Sequence, residues 1–261
     1  DIVFHAAALK HVPKIEYNPF EAIKTNVIGS HNVINASLNQ GVKKVICVGT
    51  DKAVSPQNTY GATKLIMEKL FISASNYINP ERHTTKFTAL RYGNVLGSSG
   101  SVIPKFIQQI KNNQPIHITD EQMTRFTITM DEALEFILNV TEISQGSEIF
   151  VPKLLSYDMA LLTSTLNEII ELKEKQIIGI RPGEKLHESL INSYELLYTY
   201  EMGDYYVILS PHVKKFQSNN IEKLYPNIKK ISNMETYSSD NVSKISKEEL
   251  KQKILNLNLI N

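Results

Sequence analysis

Short apolar runs that alternate with helical periods restrict this chain more than any other feature, because each change of period marks a junction of strand and helix. Ile2–Phe4, Lys44–Gly49 and Phe87–Arg91 have the length and β-branched or apolar content of buried strands. Between the first two, Asn18-Pro19 starts a helix through Ile23, Val27, Ile34 and Leu38, which Gly41 stops. Between the second and third, a helix runs from Tyr60 to Asn76. Strands joined through helices pair in parallel with right-handed crossovers. The expected class is α/β with a parallel sheet.

Further on the patterning weakens. Gly97–Ser101 reads as a loop and Val102–Lys111 as a helix, with Pro115–Ile118 and Phe126–Ile128 as short strands of a smaller lobe. Thr129-x-x-Glu132 is a capping box that opens a helix ending near Ser144. Glu148–Val151 reads as a strand returning to the main sheet, 157–172 as a helix and Gln176–Ile180 as a strand. From residue 211 the chain is rich in Lys, Asn and Ser, until a second capping box, Ser246-x-x-Glu249, opens a last helix. The expected organisation is a sheet domain over 1–113, joined by 146–152, a carboxyl-side lobe over 114–210 and an extension over 211–261. Asp1 lies inside what reads as a strand, so the chain is expected to be a piece of a longer one.

Composition excludes several classes. A chain of 261 residues with 42% hydrophobic and 21% charged residues fits a soluble globular protein, and its net charge of +1 gives nucleic acid or an anionic membrane no purchase. No run approaches the ~18 apolar residues of a membrane span. The single cysteine, Cys47, sits in a predicted core strand, which suits a reducing compartment. No His/Cys spacing suggests a metal site.

The chemistry concentrates in Thr50–Lys64, between a strand end and a helix start, where open α/β sheets hold their ligands. Tyr60 and Lys64 are four apart and share a helix face. An ammonium beside a phenol lowers its pKa and makes it a base for an alcohol proton. A second Tyr-x-x-x-Lys, Tyr225 to Lys229, contains Pro226 and follows no strand, so it reads as accidental.

These residues resemble the short-chain dehydrogenase/reductase pattern, and further motifs narrow the resemblance. His5-Ala-Ala-Ala-Leu-Lys10-His-Val-Pro13, Thr25-Asn26-Val27-Ile28-Gly29, Thr50-Asp51-Lys52-Ala53 with Asn58-Thr-Tyr60-Gly-Ala-Thr-Lys64, Arg91-Tyr-Gly-Asn94-Val, Met123-Thr-Arg125-Phe, and Arg181-Pro-Gly-Glu184-Lys-Leu-His187-Glu188 follow in order. Together they resemble the inverting UDP-N-acetylglucosamine 4,6-dehydratases of pseudaminic acid synthesis, extended short-chain enzymes among the CapD-like polysaccharide biosynthesis proteins. The likeness covers roughly residues 1 to 210. It implies a Rossmann-like sheet whose amino-terminal part, with its glycine-rich cofactor turn, is missing over about 80 residues. Ser99 stands where the family usually carries arginine.

The resemblance implies NADP, with NAD as the alternative, and UDP-N-acetylglucosamine as substrate, in a cytoplasmic homo-oligomer. Thr50, Asp51, Lys52, Tyr60 and Lys64 become the catalytic candidates. Tyr60 with Lys64 would take the 4-hydroxyl proton, Lys52 the C5 proton, its pKa depressed by burial beside Lys64, and Asp51 would protonate the departing 6-hydroxyl. Ala6, Ala7, Ala8, Lys10, Asn26, Tyr60 and Lys64 are candidates for holding the cofactor. Lys10, Asn94, Arg125, Arg181 and Glu184 are candidates for the substrate, although Asn94 also suits a turn and Arg125 a structural role. Related enzymes that retain C5 configuration carry Asp-Glu at the Asp51-Lys52 position, and epimerases carry neither. An epimerase, a dehydratase of other stereochemistry, or an inactive UDP-sugar-binding fragment remain the alternatives.

Overall fold

The computed structural model describes residues 1–76, 83–172, 174–216 and 221–259. The chain forms two compact units. The first comprises 1–92, 136–153 and 189–237, and the second 93–135, 154–188 and the residues from 238 on.

The first unit is built on a seven-stranded sheet. Ile2–His5, Lys44–Val48, Lys86–Leu90 and Glu148–Pro152 pair in parallel in that order, with Val45 opposite Phe87 and Leu90 opposite Phe150. This is the Rossmann-like α/β arrangement that the alternation predicts. Val45, Ile46, Phe87, Ala89, Phe150 and Val151 are buried, as central strands covered on both faces must be. Three antiparallel strands, Tyr205–Leu209, Thr199–Met202 and Lys229–Lys230, extend the sheet past Glu148–Pro152. The first two form a hairpin around Gly203-Asp204, where Gly203 has φ +57°, as a tight two-residue turn demands. Residues 199–209 therefore belong with the sheet and not with the lobe expected over 114–210.

Helices differ from expectation in two places. Val12–Tyr17 is a short helix ahead of the one expected from Pro19, and Asn18 makes no side-chain cap. The single helix expected from Pro19 is α-helical at Pro19–Ala22, π-helical at Ile23–Ile28 and α-helical again at Gly29–Asn39. The wide turn is centred on buried Asn26, whose side chain has other work, described below. The next helix runs Thr59–Ser73, one residue earlier than its apolar period suggests, because the Asn58 side chain caps it by accepting from Gly61 N at 2.8 Å. Tyr225, in the accidental motif, is buried with its hydroxyl donated to Glu148, a purely structural placement.

The second unit pairs Ile116–Ile118 with Lys175–Ile177 in parallel and Thr124–Phe126 with Ser156–Asp158 antiparallel. The expected strand 126–128 is thus displaced, and that over 176–180 is displaced and shortened. The helix expected over 157–172 begins at Met159, because Asp158 caps it by accepting from Leu161 N at 2.6 Å. Thr129 and Glu132 form the capping box predicted for them. Ser246 caps the last helix, Lys247–Asn256, whose Leu250 and Ile254 are buried against Ile103, Phe106, Leu162 and Leu166. The 211–261 stretch is no separate extension: its first part completes the sheet unit and its second part fills this core.

Candidate active site

In the first unit the site begins where the Lys44–Val48 strand ends. Gly49 passes so close to the Leu90 carbonyl that a Cβ there would lie 2.2 Å from its oxygen. The chain then turns through Thr50 into one 3₁₀ turn, Asp51–Ala53. Asp51 is 1% exposed. Its Oδ1 accepts from Thr50 Oγ1 at 2.8 Å and from Lys52 Nζ at 3.0 Å. Its Oδ2 is buried and has no hydrogen-bond partner among the described residues.

Tyr60 enters from the following helix, which packs directly on this turn. Burial pushes its phenol up, opposed by the charge of Lys52, while Asp51 pushes it further up and a side-chain hydrogen bond with Thr50 lowers it; Tyr92 adds a small upward push. One sequence expectation is corrected here. The phenol is not held low by Lys64, because burial outweighs the cation, and the cation that acts on it is Lys52. Lys64 is 4% exposed and donates to the Val48 carbonyl at 2.8 Å, with Met67 Sδ at 3.5 Å. Lys52 Nζ lies 3.0 Å from Asp51 Oδ1.

Behind the turn, Asn26 is fully buried and clasps the Leu9 peptide from both sides. Its Oδ1 accepts from Leu9 N at 2.8 Å, and its Nδ2 donates to Leu9 O and to Thr63 Oγ1, each at 3.0 Å. Three helical residues after Tyr60, Thr63 in turn donates to Tyr60 O at 2.9 Å. The π-helical turn aims this carboxamide, so one side chain ties the Ala6–Lys10 loop to the Tyr60 helix. Ala6, Ala7 and Lys10 are exposed, and Ala8 is half-buried. The structure thus brings Thr50, Asp51, Lys52 and Tyr60 together and anchors the loop candidates through Asn26, while the Lys64 ammonium faces the strand.

In the second unit Asn94, Arg125, Arg181 and Glu184 line one cavity of about 200 Å³. Lys105 and His117, which the sequence reading passed over, line it too. Burial and the charge of Arg181 push Lys105 down, while Glu184 pushes it up. Arg125 is largely committed elsewhere: Nη1 donates to Thr124 O at 2.7 Å and Leu186 O at 3.1 Å, and Nη2 to Lys185 O at 3.0 Å. Its role is to hold the 184–188 turn. Arg181, by contrast, is exposed at the start of that turn, where Glu184 N donates to Arg181 O at 3.0 Å. Arg181 and Lys105 give the cavity its capacity for an anion. Lys105 is recognisable only as one more basic residue on an amphipathic helix, so the sequence carries no signal for it.

Among the described residues no helix is long and apolar enough to cross a membrane, and no group of three His, Cys, Asp or Glu is arranged for a metal.

Comparison with known proteins agrees with this arrangement. Residues 1–210 match the model of a polysaccharide biosynthesis protein family. The chain is 46% identical over 245 residues to a UDP-N-acetylglucosamine 4,6-dehydratase (inverting) of Campylobacter jejuni, covering 92% of this chain and 72% of that one. It is 41% identical over 261 residues to a UDP-glucose 4-epimerase of Rickettsia bellii, covering 100% of this chain and 75% of that one. The crystal structure of Pen from Bacillus thuringiensis superposes with a TM-score of 0.87 at 41% identity, over 100% of this chain and 76% of that one. The parallel sheet, the Thr50–Lys64 junction and these matches lead to one assignment: the chain belongs to the polysaccharide biosynthesis protein family, within the extended short-chain dehydratases and epimerases that act on nucleotide sugars.

Proposed function

We propose that the site belongs to an inverting 4,6-dehydratase of UDP-N-acetylglucosamine. The observation that carries this reading is the Asp51–Lys52 ion pair, 3.0 Å long, on the turn against which the Tyr60 helix packs. An epimerase eliminates nothing and needs neither a second base nor a second acid. The names of the 46% and 41% identical relatives support a dehydratase and an epimerase respectively, so the choice rests on these residues.

A nicotinamide cofactor fits the chain's own residues. Ala6 and Ala7 leave the backbone open at the end of the first strand, and Asn26 holds the loop beyond them rigid. Ala6, Ala7, Ala8, Lys10, Asn26, Tyr60 and Lys64 would hold it, and NADP is the form proposed. When bound, it supplies a hydride acceptor for C4 of the sugar and a donor for C6. Tyr60 would take the 4-hydroxyl proton as the phenolate, the form that the Lys52 cation and the Thr50 hydrogen bond favour against burial. Transfer of the Lys52 ammonium proton to its Asp51 partner would leave a free amine, which removes the C5 proton made acidic by a neighbouring ketone. Asp51 delivers its proton to the departing 6-hydroxyl. In the second unit Arg181 and Lys105 form a cationic pair suited to a diphosphate, with Asn94 and Glu184 on the same cavity.

Incubation with UDP-N-acetylglucosamine and NADP in heavy water tests this reading by NMR of the product. The expected product is a 4-keto-6-deoxy sugar with deuterium at an inverted C5. UDP-N-acetylgalactosamine, formed without loss of water, would instead establish an epimerase, and binding without turnover an inactive sugar-nucleotide binder.

A further inference from the structure

Tyr60 is the second residue of the Thr59–Ser73 helix, so its phenol stands on a terminal turn, where helices fray. Two side chains hold that turn. Asn58 Oδ1 accepts from Gly61 N at 2.8 Å, a cap supplied by the adjoining residue. Glu16 Oε1 accepts from Thr59 N at 2.5 Å and comes from 43 residues earlier in the chain. A carboxylate on the free N–H of a helix start is a charge-assisted bond that the helix dipole favours. Glu16 lies outside every motif named above.

Glu16 belongs to Val12–Tyr17, a helix of six residues in which only Ile15 is buried. A helix so short is held by its tertiary contacts rather than by its own hydrogen bonds. Ile15 is 3% exposed and packs in one small cluster with Tyr60 and Ala22, with Val12 against it. The short helix thus has one apolar hold and one polar hold, and both reach the first turn of the Tyr60 helix. The chain ahead of it is fastened to the same helix, because Asn26 bonds the Leu9 peptide on one side and Thr63 Oγ1 on the other. From Leu9 to Glu16 the chain is a strap secured at both ends.

We propose that Glu16 is a positioning residue for Tyr60: its bond to Thr59 N keeps the first helical turn wound and holds Ile15 against the phenol ring. The effect is confined to that turn. Glu16 is exposed, so the core loses nothing when its carboxylate is removed. The later turns are secured without it, by the Asn26 bond to Thr63 and by the burial of Met67, Phe71 and Ile72. What the loss of Glu16 releases is the start of the helix, which carries the base, together with the short helix strapped over it.

The proposal rests on reading Tyr60 as the proton acceptor, and one of its two readouts needs no substrate. The full chain is labelled with ¹³C-tyrosine, and the Tyr60 ring signals are assigned by their loss in Tyr60→Phe. Glu16→Ala removes the acceptor and Glu16→Asp draws it back by one methylene. Both are expected to shift or broaden the Tyr60 signals. Both should also slow nicotinamide reduction in a single turnover at saturating UDP-N-acetylglucosamine by about 10- to 100-fold, with melting temperature and UDP affinity unchanged. Glu16→Gln keeps the length and an acceptor oxygen and is expected to restore both readouts to near wild type. A merely structural Glu16 would lower the melting temperature and leave the ring signals and the rate of the folded protein where they were. Unmoved Tyr60 signals in folded Glu16→Ala overturn the proposal, as does a wild-type rate beside moved signals. Signals moved as far in Glu16→Gln as in Glu16→Ala overturn it too, because the bond to Thr59 N would then not be the agent. A wild type that fails to reduce nicotinamide refutes the dehydratase reading, and the ring signals then decide the role of Glu16 alone. Should Glu16→Ala not fold, Glu16→Asp decides by the same readouts.

Discussion

The Lys52 carbonyl oxygen sits where a side chain on Gly61 would have to go, 2.2 Å from the position of an added Cβ. The Asp51–Ala53 turn and the Tyr60 helix therefore meet backbone to backbone, and the Pro56 ring closes the same space at 2.9 Å. Gly61→Ala is expected to push the turn away from the helix and cost about 1–3 kcal/mol of stability, as overpacked sites do. Urea unfolding measures the loss. Turnover is expected to fall by more than the lost folded fraction explains, because Lys52 and Tyr60 move apart.

Tyr60 and Lys52 should separate by the step at which each variant stops. Tyr60→Phe is expected to slow oxidation of the sugar by about 10²–10⁴-fold, the usual loss of a general base, with UDP affinity unchanged. Lys52→Ala should still reduce bound nicotinamide in a single turnover, seen by absorbance, yet release little 4-keto-6-deoxy product and exchange little deuterium into C5. Full C5 deuteration by Lys52→Ala would reassign the second base.

The two arginines around the cavity of the second unit predict opposite phenotypes. Arg181 is exposed and free of the backbone bonds that occupy Arg125. Arg181→Ala is expected to weaken UDP binding about 10- to 100-fold, the worth of a charge-assisted contact, with an unchanged melting temperature. Arg125→Ala should instead lower the melting temperature by removing the guanidinium bonds to the Thr124, Lys185 and Leu186 carbonyls, of which Leu186 O keeps the Thr124 N–H. Calorimetric titration with UDP, paired with thermal unfolding, distinguishes them.

Cys47 predicts a pH dependence. Its thiol is fully buried and pushed up to about 12 from its ordinary value of 9.0 by desolvation. A raised folded value means that the unfolded chain releases the proton first. The contribution is whole below pH 9 and is lost as pH rises toward 12, by about 4 kcal/mol at three units and ~1.4 kcal/mol each. Urea unfolding at pH 8 and pH 10.5 should show the wild type losing more stability than Cys47→Ala. Under native conditions the thiol is expected to resist alkylation until the chain unfolds.

Local order in the chain already determined much of this. The four parallel strands and the Tyr60 helix follow from period and side-chain type, because a residue's face on a strand or helix depends only on its near neighbours. The Thr129 capping box and the Ser246 cap are likewise local, as is the burial of Cys47. The proximity of Thr50, Asp51, Lys52 and Tyr60 was legible in the same way, because they are close in sequence. What each does to the others was not. Whether Lys52 or Lys64 acts on the Tyr60 phenol depends on which ammonium the neighbouring strand captures, and the Val48 carbonyl captures Lys64. Arg91 met Glu195 only because residues far apart in the chain fold against the same strand end. The hairpin at 199–209 joined the sheet for the same reason, since pairing with Glu148–Pro152 is decided by a partner distant in sequence. Electrostatics and strand addition act through space, and only the tertiary structure says what lies across that space.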